Sequence, residues 1–202
     1  MLELKDLIFG INENPFGLSY SDWTVKWWEW ILQIPKYNNP LFDINGKNAY
    51  LNQIYDNVLF LCQTLESSEE IPVRNIKIPK ETSIFMPIIN WISILHEDGE
   101  TDQELISKAR ERMNVVKDLK ININEITLTT DRLKEFRVQS PIIDVFLPEK
   151  NIFDHPSCQT RTVSDGFWIF LKPVSYSMRI KSHGSCSSGI TNIGVDYNIN
   201  VF

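Results

Sequence analysis

Ser19-Tyr-Ser-Asp-Trp-Thr-Val-Lys-Trp-Trp-Glu-Trp-Ile-Leu-Gln-Ile-Pro35 decides the fold. It packs four of the chain's six tryptophans, Trp23, Trp27, Trp28 and Trp30, into one short segment. Ser19-x-x-Asp22 is a capping-box pattern and Pro35 is a stop signal, so the spacing predicts one helix over 19–35. At about 100° per residue, Trp23, Trp27, Trp30, Ile31 and Ile34 share one face. Val25, Trp28 and Leu32 form a second apolar face, and Asp22, Lys26, Glu29 and Gln33 leave a narrow polar stripe. A helix apolar nearly all round is pressed on two sides inside a protein.

Working outward, 202 residues suit one domain with a sizeable core. Hydrophobic residues at 43% and charged residues at 23% are globular values. A net charge of -6, with Lys and Arg scattered, argues against a phosphate-tracking surface, so no nucleic-acid partner is expected. Cys62, Cys158 and Cys186 are odd in number and lack ligand spacing, which argues against zinc and against a disulfide framework. No apolar run reaches the length of a membrane span, and residues 1–9 lack a signal-peptide core. The expectation is a cytoplasmic protein, or an exported one if a signal segment is missing from the sequence.

Residues 1–18 read as an extended arm. Val58–Thr64 is a short apolar run of strand length, Glu66–Glu70 a solvated turn, and Val73–Ile78 alternates with period two. Ser83–Leu95 reads as a strand bent or bulged at Pro87. A second capping box, Thr101-x-x-Glu104, opens an amphipathic helix over 101–118. From Ile121 to the end the chain is mostly β, with a bulge expected at Asp165-Gly166. The fold expected is α+β and mainly antiparallel, a single β-sandwich or jelly-roll-like domain with one buried Trp-rich helix and one surface helix.

The segment Gly17–Trp30, with Asn39-Pro-Leu41, Phe85-Met-Pro-Ile-Ile-Asn90, Phe136-Arg-Val-Gln-Ser-Pro141, Leu147-Pro-Glu-Lys-Asn-Ile152 and Val163-Ser-Asp-Gly-Phe-Trp168, resembles a family of uncharacterised bacterial and archaeal proteins. These share a W-x3-WW-x-W helix and a β-rich C-terminal part. The likeness runs from about residue 16 to the end, and it implies no activity, cofactor or substrate. Several relatives look exported. The chain departs from the pattern near Val174–Met178, where the resemblance implies a Pro-Gly turn and a histidine; Met178 stands nearest that position.

The candidate chemistry is sparse. Trp23, Trp27 and Trp30 read as core because Ile31 and Ile34 share their face. Trp28, near the edge of the second face, is the better candidate for a ligand-binding aromatic. Glu29, on the narrow stripe, is either a surface residue or a carboxylate facing a polar cavity, where its pKa would rise. Arg137, between Phe136 and Val138, is either half of a buried ion pair with Asp144 or Asp165 or an anion site. His155 and His183 fall in turn-like contexts. His96–Asp102 gathers oxygen ligands without EF-hand spacing. Gly184–Gly189 lacks the nucleophile-elbow register.

No metal or cofactor is expected. The residues point to a domain binding a small organic or carbohydrate ligand, or a protein partner, beside Trp28 and Glu29. The alternative is a cofactor-independent hydrolase or lyase using Glu29, Arg137, His155 and Asp165. An enzyme needs two or more of those groups on one pocket; a binding domain needs only an aromatic-walled cleft.

Overall fold

In a computed structural model that describes residues 4–65, 70–187 and 193–202, both capping boxes form. After a one-turn helix α1 (Leu4–Leu7), the tryptophan segment is helix α2 (Tyr20–Leu32). The Ser19 hydroxyl accepts from Asp22 N, and the Asp22 carboxylate accepts from Ser19 N at 3.0 Å. The helix stops short of Pro35 because a proline disfavours helical backbone in the residue before it. The buried Asn39 amide replaces the missing turn, donating to Ile31 O and Ile34 O at 2.8 and 2.9 Å.

Helix α3 (Asp102–Asn114) ends before 118, because Val116 already pairs with Cys186 as the start of strand β4. Here strand pairing overrides a helical pattern that the sequence carries two residues further. A last one-turn helix, α4, spans Thr130–Leu133.

The strands are β1 (Val58–Phe60), β2 (Val73–Ile78), β3 (Thr82–Ile94), β4 (Val116–Ile123), β5 (Ile126–Thr129), β6 (Arg137–Gln139), β7 (Ile143–Leu147), β8 (Cys158–Val174), β9 (Met178–Cys186) and β10 (Ile193–Val201). They form two mixed sheets, so the chain is α+β with mostly antiparallel pairing. Sheet A runs β1-β3-β8-β6, with β7 also on β8; sheet B runs β2-β10-β9-β4-β5. Only β1–β3 and β2–β10 are parallel among the described strands. In β2 and β9 burial alternates, which gives sheet B one covered and one open face.

The bulge near Pro87 is present: Pro87 pairs with Trp168 and Ile89 with Phe167, so Ile88 is the extra residue. No bulge lies on β8 at Asp165-Gly166, where a glycine is required for another reason. A Cβ at Gly166 would come within 2.6 Å of Asn90 Cβ and 2.9 Å of Ile89 O. His183 lies within β9 rather than in a turn. The turn expected at 66–70 lies outside the described residues except for Glu70, as does the end of the Gly184–Gly189 segment. Of the N-terminal arm, residues 1–3 also lie outside them. The described part is pinned rather than free: Phe9 N donates to Phe170 O, and the Tyr20 hydroxyl donates to Phe9 O at 2.6 Å.

Helix α2 lies against sheet A through aromatic contacts. Trp23 meets Phe170 edge-on at 5.2 Å, and Trp27 meets Trp168 at 5.3 Å. Trp168 stacks on Phe85 at 5.2 Å with the rings 6° apart. Each such pair adds about 0.5–1.5 kcal/mol beyond the area it buries. Three indoles are also tied to the chain: Trp23, Trp27 and Trp30 donate to the carbonyls of Pro15, Leu61 and Leu51. This arrangement fixes the helix in height and rotation, which matters for the fourth indole.

Candidate functional site

The pairing of β1 with β3 ends at Phe60 opposite Phe85. Beyond it the chain after β1 turns away, and no described strand takes its place beside Pro87–Ile94. The Gln63 amide bridges the first step of this gap by donating to Pro87 O at 3.2 Å. The remainder is a cavity of about 490 Å³, within the range of small-molecule sites. Its walls are Trp27 and Trp28 from α2, Asn90, Trp91 and Ile92 from β3, and Gln63–Leu65; Glu97, Asp98, Phe153 and His155 come from two turns. A larger depression of about 640 Å³ on the open face of sheet B is lined by strand residues such as Asn75, Lys77, Arg179 and Asn198 and holds no aromatic ring. It is open to solvent, so the walled cavity beside α2 is the better candidate.

The polar chemistry of the cavity is one-sided. Trp28 Nε1, Asn90 Nδ2 and Trp91 Nε1 are buried N–H donors with no acceptor among the described residues. Native structures rarely leave such groups unpaired, because each lost hydrogen bond costs about 1–3 kcal/mol. All three belong to side chains that line this cavity, but the atoms themselves have no accessible surface, and Trp91, opposite Asp165, lies on the α3 side of β3. Trp91 is held from outside by the Arg112 guanidinium, 4.7 Å from its ring centre. Trp28 is held edge-on against Trp27 at 4.9 Å. Among the described lining residues there is no lysine or arginine, whereas Glu97 and Asp98 are acidic.

His155 contributes an imidazole whose Nδ1 lies 2.5 Å from Glu97 Oε1. The two side chains are about a third exposed, at 30% and 38%. Among the described residues no group of three or more His, Cys, Asp or Glu is arranged to hold a metal ion. Among the described residues, no helix is long and apolar enough to cross a membrane.

Of the residues singled out from sequence, the structure brings Trp28 and His155 to this cavity and places the others elsewhere. Glu29 lies on the outer stripe of α2, 42% exposed and paired with Lys26 at 2.7 Å. Arg137 and Asp165 form one ion pair at 2.7 Å. Arg137 also donates to Asn114 Oδ1 and Arg110 O on α3, so the pair anchors α3 to sheet A. Burial raises the Asp165 pKa above its ordinary value, and the Arg137 hydrogen bonds and charge partly offset this. His96 pairs with Glu100 on the surface.

Sequence reasoning missed Glu97, Asn90 and Trp91. Glu97 sat unremarked within the His96–Asp102 run. Asn90 carried a signal that went unused, a lone amide inside a long apolar strand. No known family model matches the chain, and neither the curated proteins nor the solved structures contain a match to it.

Proposed function

We propose that the chain binds a small neutral ring compound, carbohydrate rings included, in the cavity between α2, the free edge of β3 and the two turns. The aromatic walls of the cavity, Trp27, Trp28, Trp91 and Phe153, carry this reading. Gln63, Thr64 and Asn90 add uncharged polar lining that suits a ligand with carbonyl, ether or hydroxyl groups. The aromatic walls suit an apolar ring face. The acidic rim and the lack of a fixed cation disfavour a carboxylate or phosphate ligand. The contact of Ile89 with Gly184 supports reading sheets A and B as the two halves of a sandwich, with the cavity at one margin.

The test uses tryptophan fluorescence, since Trp27, Trp28 and Trp91 all line the site. Methyl glycosides and acetanilide are titrated beside benzoate. The expected result is a saturable change with at least one neutral compound and none with benzoate. Trp28→Leu keeps apolar bulk but loses the aromatic wall, and should weaken binding about five-fold, the worth of one aromatic contact of about 1 kcal/mol. Absence of binding by every neutral ring tested, or equal affinity in Trp28→Leu, would overturn the reading.

A further inference from the structure

Beyond Phe85, the outer edge of β3 is closed at two places by groups that are not part of a strand. The Gln63 amide donates to Pro87 O at 3.2 Å. Seven residues on, the Asp98 carboxylate accepts from Ile94 N at 2.9 Å, while Glu97 N and Asp98 N donate to Ile94 O. Between these stops lie Asn90 and Ile92, and the pairing with β8 fixes where their backbone points. Leu95 N donates to Arg161 O at 2.9 Å. In the alternation of an antiparallel ladder, Ser93 and Trp91 therefore turn their N–H and C=O groups to β8, and Ile92 and Asn90 turn theirs away from it. The opposite strand agrees. Ser164, the partner of Ile92, has both backbone groups bonded to Ser140 on its far side, at 2.9 and 2.8 Å.

Two N–H and two C=O groups of β3, those of Asn90 and Ile92, are thus left without a partner among the described residues, and both residues line the cavity. Backbone polar groups in folded proteins are nearly always paired. Sheets guard an open edge with charged side chains, prolines or a covering element. Here the strand is largely apolar, and no lysine or arginine stands among the described lining residues.

We propose that the occupant of this site is an extended peptide that adds a strand to the outer edge of β3 and seats an aromatic side chain in the cavity; the aromatic half of the proposal rests on the ring-binding reading above. The peptide exchanges hydrogen bonds with Asn90 and Ile92. Its side chains then alternate between the α2 side, where Trp27, Trp28 and Leu41 wait, and the side away from it. Asn90 to Ile92 covers about 10 Å of strand at about 3.3 Å per residue, so a tripeptide core satisfies all four groups. Glu97 and Asp98 stand where the edge meets the turn, which favours a lysine, an arginine or a free amino group at that end and opposes an acidic side chain. A second folded copy fits less well, because α2, Gln63–Leu65 and the two turns wall the edge in.

The probe is an acetylated, amidated hexapeptide with phenylalanine third, valine fifth, threonine second and fourth, and a lysine at each end. It is titrated against the whole chain by tryptophan fluorescence, beside acetanilide. Two further peptides carry N-methyl groups on alternate backbone nitrogens, of the second and fourth residues in one and of the third and fifth in the other. One set should bind as the parent does, and the other should lose at least about five-fold, one hydrogen bond's worth. Amide hydrogen exchange should slow at Asn90 and Ile92 when the peptide is added, and stay slow throughout at Trp91 and Ser93. Ile92→Pro removes one edge donor without touching the β8 ladder, at a position where a strand tolerates proline. It should weaken the peptide about five-fold or more and leave acetanilide binding unchanged.

Acetanilide binding with both methylated peptides equal to the parent, and no slowing at Asn90 and Ile92, overturns strand addition and leaves the ring reading standing. One sensitive and one tolerant peptide without any acetanilide binding upholds strand addition and overturns the ring reading. Binding of neither probe overturns both. A dimer of the free chain that Ile92→Pro disperses assigns the edge to a second copy and overturns the peptide.

Discussion

Arg74 is 1% exposed, yet no carboxylate forms an ion pair with it among the described residues. Neutral groups hold its charge. Asp43 O accepts from Nε, and Cys62 O and the Tyr197 hydroxyl accept from Nη1, all at 2.7 Å. Burial pushes the Cys62 thiol and the Tyr197 hydroxyl up, so both stay protonated beside the cation. The fork of the guanidinium reaches three acceptors at once, and an ammonium does not. Arg74→Lys should therefore destabilise the protein by about 3 kcal/mol, the cost of leaving buried acceptors unpaired, measured by urea unfolding.

Arg137 and Asp165 make a second residue-scale prediction, because their burial is unequal: 29% exposure against 2%. Removing the arginine strands a carboxylate in the interior, whereas removing the carboxylate leaves a guanidinium that reaches water. Arg137→Met should cost about 3–5 kcal/mol and Asp165→Asn distinctly less. The Asp165 pKa is raised in the fold, so the folded state holds its proton to higher pH than the unfolded chain. Its contribution to stability is thus complete below the ordinary carboxylate range and declines as pH rises through the raised value. Loss of Arg137 removes the two largest influences opposing that shift, ahead of the Gly166 amide and the Arg110 charge, so in Arg137→Met the decline should extend to higher pH. Unfolding midpoints measured from pH 4 to 7 give the sign directly.

At the scale of elements, β3 and β8 leave no room for a side chain where Asn90 lies opposite Gly166. Both atoms nearest an added Cβ at position 166 belong to Asn90, one of them backbone, so a side chain has nowhere to go. Gly166→Ala should cost about 1–3 kcal/mol by overpacking and should also displace Asn90 from the cavity. A combined loss of thermal stability and of ligand-induced fluorescence change is expected; a stable variant with unaltered binding contradicts this geometry. Ser19→Ala, by removing the N-cap of α2, should cost about 1 kcal/mol and leave the cavity chemistry intact.

These elements also mark what the sequence made readable. Caps and periods are local, so α2, α3, the β2 alternation and the disturbance at Pro87 could be read from neighbours along the chain. The ends of α3 and of β8 could not, because Val116 takes its state from Cys186, far away in sequence, and Cys158 from Leu147 across an intervening loop. The site was less legible for the same reason. Trp28 and His155 stood out by residue type, but Glu97 gains meaning only when two turns 58 positions apart are brought within 2.5 Å.

For the whole molecule, one apolar core runs from α2 through sheet A into sheet B, joining Trp23 and Phe85 to Ile121, Ile180 and Val195. Arg74 and Tyr197 of sheet B are also bonded to Cys62, which follows β1 of sheet A. Neither sheet keeps a complete core without the other. Unfolding followed by tryptophan fluorescence, which reports α2 and sheet A, should therefore coincide with far-ultraviolet circular dichroism, which reports both sheets. Separate midpoints would mean that the sheets unfold independently.

The extra residue at Ile88 has a consequence at this scale too. Side chains alternate sides along a strand, so one inserted position reverses the assignment of every residue after it. Before the insertion, odd-numbered Phe85 and Pro87 lie on the side of Trp168 and α2; after it, even-numbered Asn90, opposite Gly166, occupies that side. Were Ile88 paired in regular register with Phe167, Asn90 would fall opposite Asp165, on the side of α3, and Ile89 would take its place beneath the tryptophan helix. The character of the cavity is thus written in the parity of a strand, and a slip that drew Ile88 into regular pairing would exchange an amide wall for a hydrocarbon one.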